Sequence, residues 1–162
     1  MNMIVDRTLL DVERWRELRD KGWSRMTPVE RQEWMGEITP VPSATRGMYT
    51  HNDLNRVERA VEATVARFKE AGYELPSMVT KTDWTHRDKP QIEDIERYYN
   101  NISLLREFLV VYPKTPKSPS VDKPLNYEMA NNIEKIIVDV NNIITGIMTS
   151  WFYAGDVMSG EV

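Results

Sequence analysis

The chain has 162 residues, of which 28% are charged, a formal net charge of −4 and no cysteine. This length suffices for one domain with a hydrophobic core, or for one domain with an appendage. Charges of both signs are interleaved and form no nucleic-acid-binding patch, and the lack of cysteine excludes disulfides and thiolate metal sites. No apolar run approaches the roughly 18 residues of a membrane span, and the first residues lack the pattern of a secretion signal.

The amino-terminal part of the chain predicts two short helices. The first spans about 6–21 and is ended by Gly22; its inward-facing positions are predicted to be Leu9, Val12 and Trp15 or Leu18. Thr27-Pro28-Val29-Glu30 is a capping-box sequence, so a second helix runs from there to about Met35. These helices define a predicted amino-terminal module over residues 1–38, followed by a loop at 39–47 that is rich in proline and small polar residues.

The helix predicted at about 50–71 has the strongest pattern in the sequence. Its apolar residues recur at three- and four-residue steps and are Leu54, Val57, Val61, Val65 and Phe68. Thr50 and Asp53 have capping-box spacing at its start, and Gly72 provides the left-handed turn at its end. The charged residues between the apolar positions, among them Arg56 and Glu58, are predicted to lie on the surface.

Two further long helices are predicted at about 90–111 and 124–151. The second has the widest apolar stripe, and the core residues expected on it are Ile136, Ile137, Val140, Ile143 and Ile144. Its asparagines, at 131, 132, 141 and 142, are interpreted as plain surface, with an exposed or intersubunit face as the alternative. No segment alternates as a strand would. We therefore predict an all-α fold, in which a helical bundle of three long helices with a short tail, over 48–162, follows two short helices.

The sequence contains few residues arranged for catalysis or metal binding. His51 and His86 are the only histidines, and each is followed two residues later by an aspartate, Asp53 or Asp88. Without a third ligand at metal spacing they are interpreted as surface or capping residues. The chain has no glycine-rich phosphate loop, nucleophile elbow or zinc-protease motif. We therefore expect no enzyme activity, no metal site and no cofactor.

Two interpretations fit the tryptophans of the amino-terminal module. Trp15, Trp23 and Trp34 either form an exposed aromatic platform for sugars or a partner protein, or fill a small core where the two short helices meet. The second interpretation is favoured, because large aromatic side chains supply much of the buried area in small helical units. Trp84, in the connector at 73–88, is predicted to pin that connector onto the bundle.

Three strings in the sequence resemble a module of virion proteins from phages and prophages of Gram-positive gut bacteria. They are WSRMTPVERQEW at 23–34, YTHNDLNRVE at 49–58 and WFYAGDVMSGE at 151–161, with the connector KTDW at 81–84 between them. Two departures from the family pattern are present. Residues 39–46 stand where the family has a short Lys-Gly turn, and Thr50-His51-Asn52 replaces an Asn, a variable residue and Thr.

The resemblance implies a structural component of a phage particle, in a tail, baseplate or fibre-like appendage. Such a protein assembles in the host cytoplasm by contacting copies of itself and other virion proteins. The family carries over no catalytic residue and no cofactor. The alternative is a module that binds a host-surface glycan through its tryptophans. The residues expected to contact a partner are Trp15, Trp23, Trp34, Trp151, Phe152 and Tyr153.

Overall fold

The computed structural model describes residues 2–123 and 125–158, with side chains as far as position 150. Within these ranges the chain forms helices and no β-strand, so the predicted all-α class is confirmed. No helix in the described part of the chain has the length and apolar character needed to cross a membrane.

Six α-helices follow one another in the described part of the chain. They are α1 (Leu9–Lys21), α2 (Pro28–Trp34), α3 (Ala44–Gly47), α4 (His51–Glu70), α5 (Ile92–Phe108) and α6 (Tyr127–Met158), with a single 3₁₀ turn at Trp23–Arg25. The start of α5 lies after the predicted one, because Gln91 forms the capping box with Asp94. The start of α6 is also later than predicted, since the side chain of Asn126 accepts a hydrogen bond from the amide of Met129. The third long helix then continues to Met158, about two turns beyond the predicted end.

The helix ends form as the local sequence dictates. Thr50 and Asp53 exchange both hydrogen bonds of a capping box at the start of α4, and Thr27 and Glu30 do the same for α2. A hydrogen bond from the Lys21 ammonium lowers the pKa of Glu30 to about 2. At the other end of α4, Gly72 has a φ of 79° and terminates the helix as predicted.

The three long helices contact one another in all three pairings and share one hydrophobic core. Its fully buried members include Val57, Val61, Phe68, Ile102, Leu105, Ile133, Ile136, Ile137, Val140 and Ile144. The prediction that Ile143 belongs to this core is wrong. Ile143 is only half-buried and lines a surface groove beside Val111 and Tyr112, because one residue of helical rotation separates it from Ile144.

A second, smaller hydrophobic cluster lies in the amino-terminal part of the chain. Leu18, Met26 and Ala44 are buried there, with Trp15 and Trp34 packed against them. Leu9 was predicted to face inward, and this is wrong, since the side chain is 50% exposed. The two clusters are separate, while the division into modules at 1–38 and 48–162 stays a prediction.

The segment 39–47 is not entirely loop as predicted, because α3 forms at its end and packs against α1. Two buried carboxylates hold it there: Asp11 accepts from the amide of Ser43 at 2.7 Å, and Glu33 accepts from the amide of Ala44 at 2.9 Å. Burial raises the pKa of Asp11, but backbone hydrogen bonds from Ser43 and Thr8 outweigh that effect and lower it. The carboxylates thus satisfy amides at the start of a helix too short to form unaided.

Candidate functional site

Several polar residues of the string at 49–58 face the interior of the protein. Asp53, Asn55 and Glu58 are buried, and the side chain of Arg56 is 25% exposed. The prediction that Arg56 and Glu58 lie on the surface is therefore wrong. Helical periodicity places them off the apolar stripe, but each finds an ionic partner on a segment distant in sequence. The two clusters that they form are described in turn.

The first cluster pairs two arginines with two carboxylates. Arg7 Nη2 lies 2.9 Å from Asp53 Oδ1 and 2.8 Å from Glu134 Oε1. Arg56 Nη2 lies 2.6 Å and 2.7 Å from the same two oxygens. Glu134 is fully buried on α6, while Arg7 precedes α1. Because the four charges cancel, this cluster ties three distant segments together without leaving an unpaired buried charge.

Backbone contacts fix the amino-terminal stretch onto α6 at the same place. The amide of Ile4 donates to Glu134 Oε2 at 2.5 Å. Asn131 accepts from the amide of Arg7 at 3.0 Å and donates to its carbonyl at 2.8 Å. The interpretation of Asn131 as plain surface is therefore wrong, and Asn141 likewise accepts a hydrogen bond from Arg67. Asn132 and Asn142 are exposed as predicted, while an intersubunit role for them stays untested.

Three groups in and beside this cluster have shifted pKa values. Burial is the largest single effect on Arg56 and lowers its pKa, but the hydrogen bonds and charges of Glu134 and Asp53 together outweigh burial, so the pKa is raised. Burial raises the pKa of both Tyr49 and Tyr98, whose hydroxyls share a hydrogen bond of 2.5 Å. The tyrosines are therefore neutral and the guanidinium charged near neutral pH. Each carboxylate is engaged by two guanidinium groups, so the arrangement serves as a framework and leaves no poised acid or base.

The second cluster fixes the connector between α4 and α5. Arg97 Nη1 and Nη2 each lie 2.7 Å from an oxygen of Glu58, whose side chain also accepts from the amide of Lys81 at 2.8 Å and from Trp84 Nε1 at 3.3 Å. Asn55 exchanges two hydrogen bonds of 2.8 Å with the backbone of Trp84. Trp84 is 5% exposed, so the prediction that it pins the connector is confirmed.

The other tryptophans occupy different environments. Trp15 and Trp34 are half-buried against the amino-terminal cluster, as the core interpretation predicts. Trp23 is 50% exposed, and the guanidinium of Arg31 lies 5.2 Å from its ring centre. Trp23 therefore differs from the other two, which pack against the amino-terminal cluster. The predicted partner-binding residues Trp151, Phe152 and Tyr153 lie within α6, but their side chains are outside the described part of the structure.

The two histidines meet at a shallow surface depression. The ring centres of His51 and His86 are 6.4 Å apart, and Asp88 lines the same depression. The Asp88 carboxylate already accepts hydrogen bonds from the backbone amide and the hydroxyl of Thr85. The hydrogen bond from the amide lowers the pKa of Asp88. In the described residues no group of three histidine or carboxylate side chains is arranged to hold a metal ion.

A groove of about 550 Å³ separates α1 from the start of α6. Its lining is Arg7, Leu9, Val12, Trp15, Arg16, Gly47, Met48, Tyr49, Thr50, Leu125, Asn126, Tyr127 and Ala130. This lining contains two arginines, three aromatic residues and no carboxylate. Trp15 Nε1 and Arg7 Nε are buried and have no hydrogen-bond acceptor within the described structure. The groove thus combines apolar walls with the side chains of two arginines.

Sequence reasoning singled out only Trp15 among the residues of this groove. Arg7, Arg16, Tyr49 and Tyr127 were missed as site residues, because they come from three segments that only the fold brings together. Comparison with protein-family models finds no match to the chain, and comparisons with curated proteins and with solved structures find none either.

Proposed function

We propose that this chain is a non-catalytic structural component of a bacteriophage particle, located in the virion, that acts by contacting copies of itself and other virion proteins. In the finer architecture that we propose, α4, α5 and α6 form a three-helix bundle preceded by the short helices α1 and α2. The proposed part of the particle is a tail, a baseplate or a fibre-like appendage, as the resemblance in its sequence implies.

The observation that supports this proposal most is the internal use of the polar residues in the string at 49–58. Asp53 and Arg56 bind α6 and the amino-terminal stretch, while Asn55 and Glu58 bind the connector and α5. A string shared with virion proteins therefore serves here to shape the fold. Such use fits a protein whose task is to present a defined surface, because these side chains are held in ion pairs and hydrogen bonds within the fold.

Exposed apolar surface supports assembly through protein contacts. Trp23 and Val29 are 50% and 61% exposed and lie near each other in the sequence. The groove between α1 and α6 adds a concave and largely apolar surface that includes Arg16. Exposed apolar patches and grooves with convergent polar groups are typical of surfaces that another molecule covers.

A host-surface glycan is the second candidate ligand, and one observation favours it. Trp23 presents an exposed ring beside the cationic side chain of Arg31, and sugar rings stack on such faces. A glycan array probed with the purified chain tests this candidate directly. Binding that disappears in the Trp23→Ala variant would favour the glycan module over the structural component.

The principal experiment locates the chain in purified particles. Electron microscopy with an antibody to the chain should label one defined part of each particle, and Trp23→Ala should reduce the yield of intact particles while the isolated variant keeps its helical circular dichroism. Val79→Ala is the matched control, because Val79 is also exposed, at 66%, but lies on the connector. Particles without label, or full particle yield from Trp23→Ala, would count against the proposal.

A further inference from the structure

The groove between α1 and α6 requires an occupant with two properties. Its apolar and aromatic walls favour an apolar segment, and its lining carries arginines but no carboxylate. Arg7 is already paired with Asp53 and Glu134, so the free positive charge comes from the exposed Arg16. An acidic segment with large apolar residues meets all of these requirements.

The chain itself contains such a segment at 151–162, WFYAGDVMSGEV. It has three consecutive aromatic residues followed by Val157 and Met158. Its charged side chains are Asp156 and Glu161, and it contains no lysine or arginine. The segment is thus complementary to the groove in charge and in apolar character.

The segment cannot reach the groove of its own molecule. Tyr127 and Ala130, at the start of α6, line the groove, and α6 extends as one helix to Met158. At 1.5 Å per residue the 31 residues between Tyr127 and Met158 span about 46 Å. Residues 159–162 return at most about 14 Å of that distance even when fully extended. The occupant must therefore come from another molecule.

We propose that the segment 151–162 of one copy docks into the groove between α1 and α6 of a second copy. This inference rests on the proposed structural function and names the self-contact through which it operates. The contact joins two different surfaces of the chain, so its repetition yields a reciprocal two-fold dimer, a ring or an extended row of molecules. The carboxylates of the docked segment lie near Arg16.

The test is a charge reversal measured by sedimentation velocity on the full-length chain. Wild type should associate with increasing concentration, and more weakly at high salt. Arg16→Glu, and separately the double variant Asp156→Lys/Glu161→Lys, should each weaken association at least about tenfold. A mixture of these two proteins should associate again, because each groove then meets a segment of opposite charge. Lys69→Glu is the matched control, since it makes the same charge change on the exposed surface of α4, outside the groove.

A second measurement uses a synthetic peptide of residues 149–162, which should bind the full-length wild-type chain. Arg16→Glu should weaken this binding at least about tenfold, whereas Lys69→Glu should leave it unchanged. If wild type stays monomeric and does not bind the peptide, the inference is overturned. If the chain associates but the charge variants behave as Lys69→Glu does, the inference is also overturned. In both cases the proposed structural function is judged separately, by the labelling of particles.

Discussion

Replacing Glu58 by glutamine tests one of the most heavily used side chains of the framework. Glu58 is 1% exposed and accepts four hydrogen bonds, two from Arg97 and one each from the amide of Lys81 and the indole of Trp84. Each carboxylate oxygen serves one Arg97 nitrogen and one neutral donor. Glutamine has nearly the same shape but only one accepting oxygen, so either orientation of the amide turns an NH₂ group toward two donors.

The expected cost follows from these lost acceptors. A buried donor left without a partner costs about 1–3 kcal/mol. The Arg97 side chain is 21% exposed and also donates to the Val79 carbonyl. The cost of losing its hydrogen bond to Glu58 therefore lies at the low end of that range. The two lost bonds and the weakened remaining ones together predict a destabilisation of about 3 kcal/mol.

Urea unfolding followed by circular dichroism measures this cost. With a slope of about 2 kcal/mol per molar, the midpoint of Glu58→Gln should fall by about 1.5 M. Glu62→Gln is the matched control one helical turn later, where the side chain is exposed and its one bond, from Thr80, needs only the retained oxygen. The control should stay within about 0.5 kcal/mol of wild type. A midpoint for Glu58→Gln equal to that of the control would refute the framework role of Glu58.

Three further predictions follow from the packing and the charges. Gly47→Ala places a Cβ 2.1 Å from the Asp11 carbonyl oxygen, so it should separate α3 from α1 and raise hydrogen exchange in these two helices. Gly146→Ala meets no atom within 4 Å and should stabilise α6 by about 0.5–1 kcal/mol. Equal hydrogen-exchange protection of α1 and α3 in the two variants would contradict this. Ile144→Ala should cost about 2–5 kcal/mol in urea unfolding and Ile143→Ala clearly less, because only the first is fully buried; equal costs would show that both face the core. The Glu30 carboxyl should titrate at about 2 by NMR against an ordinary 4.5, so its stabilising contribution is complete above about 4.5 and lost as the pH falls toward 2; titration near 4.5 would exclude the lysine contact.

The features predicted correctly from the sequence depend on neighbouring residues. The apolar residues of the stripe that includes Val57, Val61 and Phe68 recur at helical spacing. The Thr27 capping box and the turn at Gly72 each depend on only a few neighbouring residues. Such local signals specify where helices form and which face is apolar. They leave the edge of the stripe ambiguous, which is why Ile143 was assigned to the core.

The features missed depend on partners that are far apart in the chain. The spacing of Arg56 and Glu58 on an amphipathic helix is that of surface charges, and only the approach of Glu134 and Arg97 makes them interior residues. The short helix α3 has no stripe of its own and forms against buried carboxylates on α1 and α2. The groove was missed for the same reason, since α1, residues 47–50 and the start of α6 line it together.

In the proposed assembly, the ion pair between Arg7 and Glu134 also bears on when the molecule can associate. Its members are separated by 127 positions, so the pair cannot form until position 134 has been synthesised. Until then Arg7 and Arg56 share one carboxylate, Asp53, and the groove wall at 125–130 is not held against the amino-terminal stretch. Since chains fold progressively as they emerge from the ribosome, incomplete chains lack the groove. If the carboxy-terminal segment docks as proposed, completion of synthesis therefore acts as a checkpoint that keeps unfinished molecules from capturing finished ones.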